Sequence, residues 1–269
     1  MTTTVALAGK GGTGKTTVAA LLIRYLVEEQ GGAILAIDAD PASNLHLVLG
    51  MEVDQTIGEI REDMLDQVQT SGALAGAMPG GMSKQEYLDY QVQMSLVEGE
   101  QVDLLAMGRP EGQGCYCAAN QMLRVILDRL KGHYDYVVID NEAGMEHLSR
   151  RTTRDVDVLL LVTDPTQRGL KTAQRMQEMV PELEIGVGRV CLILNRLRGG
   201  GRGSTDQVPE PLLAAIGEAD LTLVGTVPEE PAMAEFEFTG RPLIQLPEET
   251  GLYQAIRKIA GVILVDGRR

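Results

Sequence analysis

The sequence is short of cysteine, of basic residues and of long apolar runs. Three cysteines in 269 residues are too few, and an odd number, for a secreted disulfide framework, and they indicate a reducing compartment. Basic residues number 24 against 38 acidic ones, a net charge of −14. So acidic a surface repels phosphate backbones and anionic headgroups, which argues against non-specific binding of nucleic acid or membrane. No apolar run approaches the roughly 18 residues of a membrane span. Met1–Leu7 has neither the basic segment nor the apolar stretch of a signal peptide. Internal repeats and linker-like shifts in composition are also missing. The expectation is a cytoplasmic globular protein, organised as a single domain over residues 1–269.

What is present alternates. Short aliphatic runs fall at Thr4–Ala8, Ala33–Ile37, Gln101–Met107, Tyr134–Ile139, Val156–Val162, Arg189–Leu194 and Leu221–Gly225. Several are nearly continuous, such as VDVLLLV and VCLILN, as expected of strands buried on both faces of a parallel sheet. Between them lie helical stretches, the first at Lys15–Glu29, another carrying Met122, Val125, Ile126 and Leu130 at helical spacing. The alternation predicts an α/β fold, a doubly wound, mostly parallel sheet of seven to eight strands flanked by helices. Residues 52–100 are too long for a connection. They read as a helical insertion, with helices near Ile57–Gln69 and Lys84–Val97, the second opened by a Ser83-x-x-Glu86 capping box. Gly199–Gly203 reads as an exposed loop.

After the first strand comes GKGGTGKTT, Gly9–Thr17. It satisfies G-x-x-x-x-G-K-[ST] between a strand and a helix, the context a phosphate-binding loop requires. Glycines allow consecutive N–H groups to face one anion, and the helix N-terminus adds partial positive charge. Lys15 can reach the β- and γ-phosphates, and the Thr16 hydroxyl can ligate Mg²⁺. Carboxylates follow at strand ends: Asp38 and Asp40 in AIDADP, Asp140 in YVVIDNEAG. Strand carboxyl ends are where ligands sit in open α/β sheets. Asp38 could equally be a turn carboxylate or a helix cap.

The second lysine of KGGTGKTT, Lys10, makes the loop resemble the deviant Walker A motif of the P-loop ATPases that include MinD, ParA, ArsA and the nitrogenase iron protein. The resemblance covers nearly the whole chain apart from much of 52–100. It implies ATP and Mg²⁺ as ligands, with Gly9, Gly11, Gly12, Thr13, Gly14, Lys15, Thr16 and Thr17 around the phosphates. Lys10 would cross a dimer interface to the partner's phosphates, where a cation stabilises the charge of phosphoryl transfer. Asp40 would orient the attacking water, Thr16, Asp40 and Asp140 would serve the magnesium shell, and the Gly144 N–H would meet the γ-phosphate. At the base end, Asn195 and Arg196 of LILNRL and Val227, Pro228 and Glu229 of GTVPEEPAM would hold adenine. The guanine-reading N/T-K-x-D motif is replaced by NRLR.

GQGCYCAAN places Cys115 and Cys117 in a C-x-C pair ahead of a predicted helix, where the helix N-terminus favours thiolates. Thiolates select soft metals. Two are too few for a closed four-ligand site, and Cys191 in a strand reads as a core residue. A two-fold dimer makes up the count with two thiolates from each chain, and Lys10 requires that same dimer. CYC together with DNEAGMEHLSRRT resembles the CooC-type maturation ATPases. The resemblance implies a homodimer that binds Ni²⁺ or Zn²⁺ between subunits at Cys115 and Cys117, with carbon monoxide dehydrogenase or acetyl-CoA synthase as client. His147 is a candidate metal ligand but reads better as a polar helix residue, and His46 and His133 read as surface or helix-end residues. Two alternatives stay open. One is a MinD- or ParA-like spatial regulator, opposed by the net charge and by a final segment, GLYQAIRKIAGVILVDGRR, that Gly261 is expected to interrupt. The other is an iron–sulfur electron donor, opposed by the close spacing of the thiols.

Overall fold

The computed structural model describes residues 2–60, 62–63, 82–83, 86, 90, 93–108, 130–144, 155–183, 185–198 and 208–265. Its strands are β1 (Thr3–Ala8), β2 (Ile34–Ala39), β3 (Val102–Ala106), β4 (Tyr136–Asn141), β5 (Asp155–Thr163), β6 (Gly186–Leu197) and β7 (Leu223–Pro228). They form one sheet in the order β3-β2-β4-β1-β5-β6-β7, and every ladder is parallel. β1 lies at the centre, with Thr3–Leu7 against Tyr136–Asp140 on one side and Val5–Ala8 against Val158–Leu161 on the other.

The period-2 alternation of strand side chains divides the core into two layers. Val5 and Leu7 face a layer shared with α1 (Lys15–Tyr25), α2 (Leu45–Leu49) and α6 (Gly251–Val265). Ala6 and Ala8 face the other, with α3 (Gln167–Met179) and α4 (Glu210–Glu218). Helices on both faces explain why the strands are apolar throughout rather than alternating. β7 leads to α5 (Ala232–Thr239), which plants Phe236 in the first layer.

Element boundaries depart from the sequence expectation where pairing overrides propensity. The first helix is α-helical only to Tyr25. Leu26–Gln30 continue it as a wider π turn, and Gly31 ends it at φ +66°. β6 extends back to Gly186 because β5 offers partners from Asp155 onward, and on to Leu197 because that residue pairs with Pro228 of β7. β7 begins two residues later than expected and runs to Pro228, with register shifts against β6. In the insertion, helical residues occur at 57–60, 62–63, 86, 90 and 93–95. The Ser83/Glu86 capping box is formed, and Thr56 and Glu59 form a second one. The second helix does not reach Val97, which instead bridges Leu104 on edge strand β3. The rest of the insertion, most of the helix expected around Met122–Leu130 and the Gly199–Gly203 loop lie outside the described residues.

Gly261 does not interrupt the last helix. α6 runs unbroken through it to Val265. Leu252, Tyr253, Ala255, Ile256, Ile259, Ala260 and Ile263 are all buried, so its apolar face is committed to α1 and β7. The charged groups of Arg24, Glu28 and Glu29 meet it at its edge. The Arg24 guanidinium lies 4.0 Å from the centre of the Tyr253 ring, Arg24 pairs with Glu28 at 2.7 Å, the Tyr253 hydroxyl donates to Glu28, and Arg257 pairs with Glu29. Among the described residues no helix is long and apolar enough to cross a membrane.

Candidate functional site

Gly9–Gly14 leave the carboxyl end of β1 and turn into α1. Gly9, Gly12 and Gly14 all have positive φ. At Gly9 a Cβ would fall 2.2 Å from the Val162 carbonyl oxygen, and at Gly14 one would fall 2.3 Å from Asn195 Nδ2. Glycine is therefore required at both positions by space as well as by backbone angle. Thr13 closes the turn, its N–H (3.3 Å) and its hydroxyl (2.9 Å) both donating to the Lys10 carbonyl. Gly14 caps α1 without a side chain, so the first-turn N–H groups have no side-chain competitor and are available to an anion. Lys15 is buried, whereas Lys10 is exposed, as a cation reaching for a group on another molecule must be.

Two carboxylates lie buried at adjacent strand ends, Asp38 on β2 opposite Asp140 on β4. The Thr16 hydroxyl donates to Asp140 Oδ2 at 2.6 Å, which brings together two of the three residues assigned to magnesium. Burial pushes the Asp140 carboxyl up to about 6, against the opposing pull of the Thr16 hydroxyl and the Lys15 charge. Its Oδ1 is buried with no hydrogen-bond partner among the described residues. An orphaned buried carboxylate oxygen beside a threonine hydroxyl fits a hydrated Mg²⁺, whose charge would hold the carboxylate ionised. Burial pushes Asp38 further, to about 7, and the Asp140 charge adds to that. The N–H groups of Leu45 and Asp40 oppose it. Asp38 is thus the turn carboxylate and helix cap that its place in the sequence allowed. Its Oδ2 accepts the Leu45 N–H at 2.9 Å and its Oδ1 the Asp40 N–H at 3.2 Å. Asn44, at the N-cap of α2, makes no side-chain capping bond.

Asp40 is half-buried at the head of a tight turn, its carboxylate accepting the Ala42 N–H at 2.8 Å. Gly144, at φ +106°, donates its N–H to the Gly9 carbonyl at 3.2 Å. The segment after β4 thereby touches the phosphate loop where the resemblance places a γ-phosphate contact.

At the other end of the loop, a cavity of about 510 Å³ opens between the ends of β6 and β7. Gly14, Thr17, Asn195, Arg196, Pro228 and Glu229 line it, together with Met233, Ala234 and Glu237 of α5 and Leu252 of α6. The lining mixes apolar groups with charged ones, Arg198 and Glu230 among them, so a base would find both a surface to stack on and polar groups for its edge. Val227 is fully buried in the core, so its side chain does not reach the cavity. Asn195 is also buried, and both ends of its amide are engaged. Nδ2 donates to the Thr13 carbonyl at 2.7 Å, and Oδ1 accepts the N–H of Arg196 at 2.9 Å, with Arg196 at φ +60°. Asn195 bolts the end of β6 to the phosphate loop, a role the LILN pattern does not reveal.

Cys115, Cys117 and His147 lie outside the described residues. Cys191 is buried in β6, in keeping with its reading as a core residue. Among the described residues no group of three or more His, Cys, Asp or Glu side chains is gathered as a metal-ligand cluster.

A family model described as the CobQ/CobB/MinD/ParA nucleotide-binding domain matches residues 4–243. An uncharacterized ATP-binding protein of Methanocaldococcus jannaschii is 42% identical over 97% of this chain and 98% of its own length. The carbon monoxide dehydrogenase accessory protein CooC of Rhodospirillum rubrum is 32% identical over 72% of this chain and 74% of its own. Among solved structures, the septum site-determining protein MinD of Pyrococcus horikoshii, complexed with Mg-ADP, is 26% identical and covers 98% of this chain and 96% of its own, with a TM-score of 0.67. A strand–loop–helix phosphate cradle, a Thr16–Asp140 hydrogen bond and a cavity beside the loop thus stand in a sheet shared with these proteins, and the chain belongs to the CobQ/CobB/MinD/ParA family of nucleotide-binding domains as an ATPase of the MinD/ParA class.

Proposed function

We propose that this ATPase is a nickel-insertion factor of the CooC type, acting as a homodimer. The observation that carries the reading is the Cys115-x-Cys117 pair on a MinD/ParA-class chain that is 32% identical to a carbon monoxide dehydrogenase accessory protein. Each chain contributes two thiolates, and two chains complete a four-sulfur site for Ni²⁺, with Zn²⁺ as its competitor. The client is carbon monoxide dehydrogenase or acetyl-CoA synthase.

Each site residue has a role in this reading. The N–H groups of Gly11–Thr16 and the Lys15 ammonium bind the phosphates. Thr16 and Asp140 hold the magnesium ion, which when bound neutralises phosphate charge. Asp40 orients the attacking water and completes the magnesium shell. Lys10, exposed on its loop, reaches the phosphates of the partner subunit. Gly144, now bonded to the Gly9 carbonyl, exchanges that partner for the γ-phosphate and reverts after hydrolysis, the class of change in which a γ-phosphate orders a segment and then releases it. The adenine enters the cavity between Asn195, Arg196, Pro228 and Glu229. The apolar face of α6 is buried, so this helix does not offer it to a membrane as the spatial-regulator alternative would ask.

The test is titration with Ni²⁺ followed by thiolate charge-transfer absorbance, with particle mass measured with and without ATP. The expected result is one nickel per two chains, lost in Cys117→Ala while ATP binding persists. A protein that dimerises with ATP yet binds neither nickel nor zinc would return the chain to the spatial-switch class.

A further inference from the structure

The turn that carries Asp40 is closed by Ser43, and Ser43 is tied to a strand other than the one the turn leaves. The Ser43 N–H donates to the Asp40 carbonyl at 2.9 Å, making a turn with Pro41 second. Ser43 sits at φ +44°, a left-handed conformation that costs a residue with a Cβ and is retained where surrounding contacts impose it. The contact here is a hydrogen bond: the Gly108 N–H donates to Ser43 Oγ at 3.2 Å. Gly108 is the second residue beyond β3. It is held in turn, because its own φ is +62° and a Cβ would lie 2.2 Å from Thr56 Oγ1. One residue earlier, the Met107 N–H donates to the Asp38 carbonyl and the Met107 carbonyl accepts the Gly58 N–H, both at 2.8 Å. Three stretches therefore meet at one node: the Asp40 turn, the exit of β3 and the opening of the insertion.

We propose that Ser43 is a positioning residue for ATP hydrolysis. Its hydroxyl holds the Asp40 turn in register with the chain leaving β3 at Gly108, so the two move together when nucleotide binds. This rests on the assignment of Asp40 to the attacking water. Asp38 sets the base of the turn through two N–H groups, and Ser43 sets its far end. Loss of the Ser43 hydroxyl leaves Asp40 in place but less narrowly aimed, and a displacement of about 1 Å at a water-orienting group is enough to lower turnover. The stretch that Gly108 opens runs in sequence to Cys115 and Cys117.

Two variants separate the hydroxyl from the backbone. Ser43→Ala removes the hydroxyl and keeps the left-handed strain, while Ser43→Gly removes both. Both are expected to lower kcat about 10-fold, the loss of about 1.4 kcal/mol, with KM for ATP within about 2-fold of the parent. Ser43→Gly is expected to melt no lower than the parent. Hydrogen exchange supplies a readout independent of turnover: Mg·ATP protects the 102–108 segment in the parent and not in Ser43→Gly. Parent-like kcat in Ser43→Gly, or equal nucleotide-dependent protection of 102–108 in both proteins, overturns the proposal. Asp40→Asn is the control for the assignment beneath it. If that variant turns over normally, the Asp40 assignment fails, whereas the exchange result still reports on the Ser43 link.

Discussion

Asn195 and Gly14 offer the sharpest energetic test of the site. The Gly14 Cα faces the Asn195 amide so closely that an added Cβ would lie 2.3 Å from Nδ2 and 3.6 Å from Cγ. Gly14→Ala therefore carries two costs. Its φ of +89° costs an alanine about 1–2 kcal/mol. The displaced amide also gives up its bond to the Thr13 carbonyl and strands that buried acceptor, at about 1–3 kcal/mol. Asn195→Ala incurs the second cost and also removes the acceptor of the Arg196 N–H, a loss that Gly14→Ala need not share. In the double variant the amide is already gone, so Gly14→Ala adds only the backbone penalty. The two changes should be non-additive by about 1–3 kcal/mol, the energy both singles lose in common. Denaturant unfolding of the four proteins gives the cycle. Titration with a fluorescent ATP analogue should show the same pattern, at about tenfold in Kd for each 1.4 kcal/mol. Additive free energies, within about 0.5 kcal/mol, would refute the argument, because the amide would then not be what occupies the space beside Gly14.

Two further outcomes follow from buried ionisable groups. Arg24→Met removes the ion pair with Glu28, the bond to the Leu246 carbonyl and the stack on Tyr253. It is expected to destabilise by about 2–4 kcal/mol in chemical denaturation, and loss of less than about 1 kcal/mol would contradict the role given to this cluster. Asp38, with its carboxyl pushed from 3.8 up to about 7, favours the folded state most where the unfolded chain is also protonated. That contribution is lost as pH rises through about 7. The nucleotide-free, magnesium-free protein should therefore melt at a lower temperature at pH 8 than at pH 5, and Asp38→Asn should flatten that slope. An unchanged slope in the variant would exclude Asp38 as its source.

Much of this was legible in the sequence, for reasons that differ by element. VALA, YVVID, VDVLLLV and VCLILN announced strands because helices cover both faces of the sheet and remove any need for alternation. The phosphate loop was legible because glycine, lysine and threonine at that spacing serve few other ends. Burial in α6 misled in one respect: Gly261 breaks a helix weighed by propensity, but the packing of Ile256, Ile259 and Ile263 on the core outweighs a penalty of about 1 kcal/mol. The role of Asn195 was hidden because its partner, the Thr13 carbonyl, is a backbone atom far away in sequence. The Ser43–Gly108 link was hidden for the same reason. The Thr56/Glu59 capping box was as visible as the Ser83/Glu86 one, since both are Thr/Ser-x-x-Glu. Asp38 carried two readings in the sequence, and only its burial beside Asp140 showed how fully it is used.

The central place of β1 has a consequence for how the protein is made. Its only sheet partners are β4 and β5, reached through Tyr136 and through Leu161. A nascent chain therefore displays Gly9–Thr17 long before it owns either neighbour that would hold β1 straight. Contacts this distant in sequence form slowly. The phosphate loop leaves the ribosome before β4 and β5 and becomes competent only when the middle of the sheet closes around it. ATP can then select finished molecules from unfinished ones, since the loop it needs exists only in the former.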